Sequence, residues 1–206
     1  MSNYSTAWDE QYKKAGALWA GAARELPKVP EDSKVLELGC GNGKTAHELE
    51  KKGCFTYAVD FSGNAALLCR NKSSMPGRTE AFVADASVLP FKNETFDTII
   101  AFHITGHSER ENRYKISKEI QRVLKKNGTI HIAEFSTEDM RFGGGITTEE
   151  NSFVKGNGIM THFFLEEEIK NLFSWGKAVS VRTDRWEIKV RGVVHKRAEI
   201  LASFIK

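Results

Sequence analysis

No stretch of this chain approaches the roughly 18 consecutive apolar residues that a membrane-spanning helix needs, so a bilayer span is excluded as a reading of the sequence. The opening residues, MSNYSTAWDEQYKK, hold no apolar run that could act as a secretory signal. Cysteine is scarce: Cys40, Cys54 and Cys69 form no C-x-x-C pair, and no histidines sit near them at zinc-ligand spacing. An odd count without pairs argues against a disulfide framework and a structural metal, and for free thiols in a reducing compartment. The expectation is a soluble, cytoplasmic protein with no membrane partner and no metal site. Internal repeats, low-complexity tracts and Pro/Ser-rich linkers are absent too. The 206 residues therefore read as a single domain, 1–206, around one core. A composition of 40% hydrophobic and 28% charged residues suits a folded chain rather than a disordered one.

A large net charge of either sign is also absent, at +3 overall, but the charge is unevenly placed. Residues 177–206 carry eight basic and three acidic side chains, leaving the rest slightly negative. Such a bias could favour nucleic acid or an anionic substrate; more often it is a solvated strand face. Arg182, Arg185 and Arg191 with Trp186 permit both readings, as an RNA-binding strand pair or as an edge guarded against pairing.

What is present is alternation. Lys34–Leu38, Phe55–Val59, Ala81–Ala84, Phe96–Phe102 and Thr129–Phe135 are short apolar strand-like runs. Between them lie helical segments: Thr45 to Lys52 ending at Gly53, one capped by Ser62 or Asn64 through Arg70, and Asn112 to Lys126 with an apolar stripe at Ile116, Ile120, Val123 and Leu124. Near-continuous apolar strands separated by helices predict a parallel sheet covered on both faces. Right-handed crossovers make it an α/β, doubly wound sheet. Residues 136–160 then turn polar and glycine-bearing with no clear period, which predicts an open active-site cover (about 136–164 with its flank). Arg141 and Phe142 stand ahead of its glycine triplet. A helix over about Glu166 to Phe173 and two long alternating strands, Ala178–Val190 and Val193–Ile205, close the chain.

The densest signal is Val35-Leu-Glu-Leu-Gly-Cys-Gly-Asn-Gly-Lys-Thr45. Closely spaced glycines between a strand and a helix let the backbone turn tightly and let a ligand approach with no Cβ in the way. The dinucleotide pattern G-x-G-x-x-G fails at Lys44. The P-loop of nucleotide hydrolases fails at Leu38, where its first glycine belongs, and would set Glu37 against a polyphosphate. The pattern E-x-G-x-G-x-G matches in full at Glu37, Gly39, Gly41 and Gly43. It resembles motif I of the class I S-adenosylmethionine-dependent methyltransferases, whose cofactor has no phosphate and carries an ammonium and a sulfonium.

The resemblance extends over residues 34–135. Asp60 ends the second strand where the family holds ribose hydroxyls, and Phe61 follows where a ring lies against adenine. Asp85-Ala86 corresponds to the adenine-edge contact. Leu89-Pro90-Phe91, Phe96-Asp97 and Arg122-Val-Leu-Lys-Lys-Asn-Gly128 resemble further family stretches, Lys126 and Asn127 replacing Pro and Gly in the last. The family implies a seven-stranded, mostly parallel sheet of order 3-2-1-4-5-7-6. It also implies S-adenosyl-L-methionine as cofactor, held by the glycine loop with Cys40 and Asn42 and by Phe102 at the fourth strand's end. An N-terminal helical arm (about 1–30) carries Trp8, Tyr12 and Trp19 at near-helical spacing. Trp19-x-Gly21 resembles an arm that covers the cofactor in small-molecule methyltransferases, making Tyr12 and Trp19 candidate cover residues; packing on the sheet is the other reading.

Methyl transfer from a sulfonium asks mainly for alignment, with a base only where the acceptor must lose a proton. Ligands of open α/β sheets meet the carboxyl ends of strands, which nominates His103, His107, Glu134 and His162 as catalytic candidates, each with a structural alternative. The acceptor expected first is a small molecule, then tRNA, then a protein side chain; an RNA acceptor predicts basic residues around the crevice mouth. A non-catalytic S-adenosylmethionine-binding module and a P-loop hydrolase are the rivals of another class.

Overall fold

The structure, a computed structural model, describes residues 5–15, 25–75 and 77–206. Its main sheet takes β1 (Lys34–Leu38), β2 (Phe55–Asp60), β3 (Thr79–Val83), β4 (Phe96–Phe102), β5 (Leu124–Phe135), β9 (Lys177–Val190) and β10 (Val193–Ile205) in the order β3-β2-β1-β4-β5-β10-β9. Counted within this sheet, the order is 3-2-1-4-5-7-6, as the resemblance implies. The first five strands pair in parallel, whereas β10 runs antiparallel to both β5 and β9. Arg191 and Gly192, both at positive φ, make the tight turn of the β9–β10 hairpin.

Strand periodicity decides which side chains meet which helices. Leu36, Leu38, Ile99, Ala101, Ile130, Ile132, Ile200 and Ala202 share one core with Ile116 and Ile120 of α4 (Arg110–Val123) and Ile169 and Leu172 of α5 (Glu166–Leu172). The alternate residues Val35 and Ile100 pack with Leu49 of α2 (Lys44–Lys51). Ala46 of α2, Ala58 and Cys69 of α3 (Gly63–Lys72) form a third, smaller cluster with Cys40. Of the two caps the sequence allows for α3, Ser62 is the one used: its hydroxyl accepts from Ala65 N–H at 3.1 Å. The three cysteines are free and buried.

Two stretches depart from the expectation. Residues 136–160 are not an open loop. They contribute β6 (Ile146–Glu149) and β7 (Ser152–Val154), which form a three-stranded antiparallel sheet with β8 (Met160–His162). Strands of three or four residues are too short to show a period; what holds them is a knot of Phe142, Phe153 and Phe163 rings 5.2–6.1 Å apart. The helix expected to run to Lys126 ends at Val123, and β5 begins at Leu124 with an irregularity before Thr129. The pairing of β5 with β4 shifts between Phe96 and Thr98, and Asn127 adopts a φ of 62°.

At the N-terminus, α1 (Ser5–Ala15) is fastened to the start of α3. Asp9 Oδ1 accepts from the Ser62 hydroxyl at 2.5 Å and Asn64 N–H at 3.3 Å, and Oδ2 accepts from Asn64 Nδ2 at 3.0 Å. Trp19 lies outside the described residues. Among them, no helix is long and apolar enough to cross a membrane, and no cluster of ligating side chains could hold a metal ion.

Candidate active site

A crevice of about 1380 Å³ runs along the carboxyl ends of β1 to β5 and on to β10. At its β1–β3 end lies the glycine loop, where Gly39, Gly41 and Gly43 adopt φ values of 71°, 51° and 72°. Such left-handed backbone is costly for any residue with a Cβ. Two of these glycines do different work. A Cβ on Gly41 would stand 2.6 Å from the Tyr12 hydroxyl, so this glycine lets α1 lie across the loop. One on Gly43 would meet Cys69 Cα at 2.8 Å, so Gly43 serves the close approach of α2 to α3 and does not line the crevice.

Carboxylates dominate this end. Glu37 is 5% exposed, and its Oε2 has no hydrogen-bond partner among the described residues. Burial raises its pKa well above the ordinary value, with the Thr45 hydroxyl and the Ala46 N–H pulling the other way. Asp60 Oδ2 accepts from Gly41 N–H at 3.0 Å and Oδ1 from Ser62 N–H at 2.9 Å. Burial raises its pKa too, opposed by those same N–H groups. Asp85 accepts from Ser87 and borders the crevice together with Ala86, Cys40, Asn42 and the 39%-exposed ring of Phe61.

The other end is built on β4, β5 and β10. Phe102 lines it, and His103 follows at a φ of 56° with its ring stacked on Phe135, centroids 4.1 Å apart. His103 Nε2 lies 3.5 Å from Glu199 Oε1. His107 sits in the 3-10 turn Thr105–His107, its ring 4.9 Å from that of Trp8 in α1. Its Nδ1 is 2.7 Å from Met160 O, an acceptor only, so Nδ1 carries the proton and Nε2 keeps its lone pair. Burial lowers the His107 pKa, which favours this neutral form. Opposite stand three cations: Arg141, Lys155 and Arg197 all border the crevice.

Two catalytic candidates face elsewhere. Glu134 lies beneath the 3-10 turn and does not line the crevice; its Oε1 accepts from Ile104, Thr105 and Gly106 N–H and from the Thr105 hydroxyl at 2.6–3.3 Å. It is the peg that holds the turn. On β5 it follows Ile130 and Ile132 onto the α4–α5 side, so strand parity turns it away from the ligand. His162 is 3% exposed, held between the Ser152 hydroxyl at 2.7 Å and the Glu168 carboxylate at 2.8 Å, and ties β8 to α5. Conversely, the sequence reading passed over Phe135, Lys155, Arg197 and Glu199. The signal for the last two was available: Ile200, Ala202 and Phe204 alternate into the core, which sends Arg197 and Glu199 to the other face.

A family model described as a methyltransferase domain matches residues 36–132. The chain is 32% identical over 162 residues to a tRNA N(3)-cytidine methyltransferase of Danio rerio, covering 73% of this chain and 46% of that protein. It is 30% identical over 164 residues to the corresponding Homo sapiens enzyme, covering 74% and 43%. The chain thus spans about half the length of the curated relatives it matches. A solved S-adenosylmethionine-dependent methyltransferase of Methanosarcina mazei superposes with a TM-score of 0.72 at 25% identity, covering 86% of this chain and 94% of that one. The matched domain and the superposed structure support a class I S-adenosylmethionine-dependent methyltransferase. The crevice fits that cofactor: Gly39, Cys40, Gly41 and Asn42 line it, and the unpartnered Glu37 Oε2 suits a cationic rather than a phosphate-bearing ligand. A polyphosphate would meet Glu37, Asp60 and Asp85 together, which removes the P-loop reading.

Proposed function

We propose that this methyltransferase acts on a base nitrogen of RNA, with tRNA as the first candidate. Glu37 receives the ammonium of the cofactor's methionine end, and Gly39, Cys40, Gly41 and Asn42 of the loop support it. Asp60 takes the ribose hydroxyls, Phe61 and Ala86 flank the adenine, and Asp85 accepts from its amino group. Phe102 closes the floor, while Tyr12, held across the loop by α1, covers the ligand. The cofactor supplies an activated methyl on sulfur together with its own leaving group. What remains for the chain is alignment of the acceptor. An accepting ring nitrogen already holds its lone pair, so the transfer needs no proton removed first. His103 and His107 then act by position, His103 with Phe135 as a flat surface for a base.

The observation that carries this reading is the charge layout of the crevice, acidic at the cofactor end and basic at the acceptor end through Arg141, Lys155 and Arg197. Basic residues at the mouth are what an RNA acceptor requires, and the matched relatives named above are tRNA methyltransferases. Together these move tRNA ahead of the small molecule that the N-terminal arm suggested. The test is incubation with labelled S-adenosylmethionine and unmodified total tRNA, followed by digestion to nucleosides and mass spectrometry. Label in a single methylated nucleoside supports the proposal. Label that appears only with a small-metabolite extract returns the acceptor to that class.

A further inference from the structure

The acceptor end holds a charged arrangement that neither the cofactor nor the base explains. Asp139, 2% exposed, binds two arginines at once: Oδ1 accepts from Arg141 Nε and Oδ2 from Arg197 Nε, both at 2.7 Å. Oδ2 also accepts from Ala198 N–H at 3.1 Å, and Asp139 is held well below the ordinary carboxylate range, to about 2. The carboxylate is therefore saturated, and it fixes both guanidinium groups through one edge only. Arg141 is flattened on Phe135, its Cζ 3.6 Å from the ring centroid, and its buried Nη2 has no hydrogen-bond partner. Lys155 approaches from the loop that follows β7 and, among the described residues, makes no ion pair. Burial, and after it the Arg141 charge, lower its pKa, with the Asp139 charge pulling the other way. Three cations against one internal carboxylate leave this corner positive. Another acid on the crevice wall, Glu199, has its Oε1 3.5 Å from His103 Nε2.

We propose that Arg141, Lys155 and Arg197 form an anion subsite that grips a phosphate of the nucleotide whose base is methylated. Two guanidinium groups pre-oriented by a buried carboxylate present donor edges matched to phosphate oxygens, and Lys155 adds a point charge. The phosphate sets the register, and the Phe135–His103 surface beside it receives the base. This rests on the RNA reading for its ligand, yet the subsite and the reaction can fail separately.

The experiment titrates the protein, saturated with S-adenosylhomocysteine, with the four ribonucleosides, their monophosphates and inorganic phosphate. Total tRNA binding is measured in parallel against salt. At least one monophosphate binds roughly ten-fold tighter than its nucleoside, and inorganic phosphate competes with it. Lys155→Ala removes most of that advantage, flattens the log–log salt dependence of tRNA binding by about one phosphate contact, and leaves S-adenosylhomocysteine affinity unchanged; Lys155→Arg restores the slope. Arg197→Lys, which keeps a cation beside Asp139, is the second variant, should Arg197→Ala not fold. Equal binding of nucleosides and monophosphates, or a salt slope untouched by Lys155→Ala, overturns the subsite even if tRNA is methylated. Phosphate binding that depends on Lys155, with no methylation of any RNA, keeps the subsite and overturns the RNA acceptor.

Discussion

Replacing Glu37 by glutamine should make the free protein more stable and the cofactor complex weaker, two effects of opposite sign from one atom pair. In the free protein Glu37 is buried and its Oε2 unpartnered, and burial raises its pKa well above the ordinary carboxylate value. A raised folded-state pKa means that unfolding releases the proton. The group's contribution to stability is whole below the ordinary value and is lost as pH rises toward the folded one. Over that window the wild type should lose about 1.4 kcal/mol per pH unit from this residue alone, and the neutral, nearly isosteric Glu37→Gln variant should not. For a chain of this size each kcal/mol moves the melting temperature by about 2–4 °C. The gap between variant and wild type should therefore be small in acid and open as pH rises.

Binding runs the other way. The cofactor's ammonium stabilises the ionised carboxylate, so S-adenosylhomocysteine binding below the raised pKa should release a proton and tighten with pH. Glutamine cannot supply the charge. Loss of a charge-assisted hydrogen bond of about 1.5–3 kcal/mol predicts a Kd roughly 10- to 150-fold weaker. Isothermal titration in two buffers of different ionisation enthalpy counts the proton, and a thermal melt series from acid to neutral pH reads the stability. A variant with unchanged affinity, or one that melts lower than the wild type at every pH, refutes the argument, because Glu37 would then be a structural group already satisfied within the protein.

Three further outcomes follow from the geometry. Glu134→Ala strips the acceptor from three backbone N–H groups and should lower stability by at least about 1–3 kcal/mol, read as a drop of several degrees in the melt. Glu134→Gln keeps an oxygen for those donors; because burial raises the Glu134 pKa to about 7, the wild type sheds stability as pH climbs from the ordinary carboxylate value through neutrality, and the Gln variant stays level. Gly41→Ala costs about 1–2 kcal/mol in left-handed backbone and drives a Cβ against Tyr12, so titration should show weakened S-adenosylhomocysteine binding, whereas Gly43→Ala, packed on Cys69, should show itself mainly in the melt. Asp9→Ala unfastens α1 from Ser62 and Asn64, so amide exchange over residues 5–15 should quicken and cofactor release accelerate, with no change in exchange of the central strands.

The parts of this molecule legible in its sequence are those whose signal is local. β1 ends at Leu38 because the glycines begin at Gly39, and Ser62 caps α3 because a serine before a short apolar helix has a donor three residues on. The order of the sheet came with the motif resemblance and stood. What sequence could not give is the identity of partners far apart along the chain. The rule that ligands meet strand ends fixes a level in the sheet but not a face, and at that level Glu134 and Phe135 look equally placed. Only the alternation Ile130, Ile132, Glu134, read against the helix that packs on it, sends the glutamate inward and the phenylalanine to the crevice. The basic bias of residues 177–206 likewise names no function by itself. Arg182 and Arg185 spend their charge on Asp184 and Glu138 at the surface, while Arg197 reaches Asp139, 58 residues away in sequence. One of those arginines borders the crevice and two do not. The difference lies in the carboxylates each one meets, which only the folded arrangement of β10 against residues 136–141 decides.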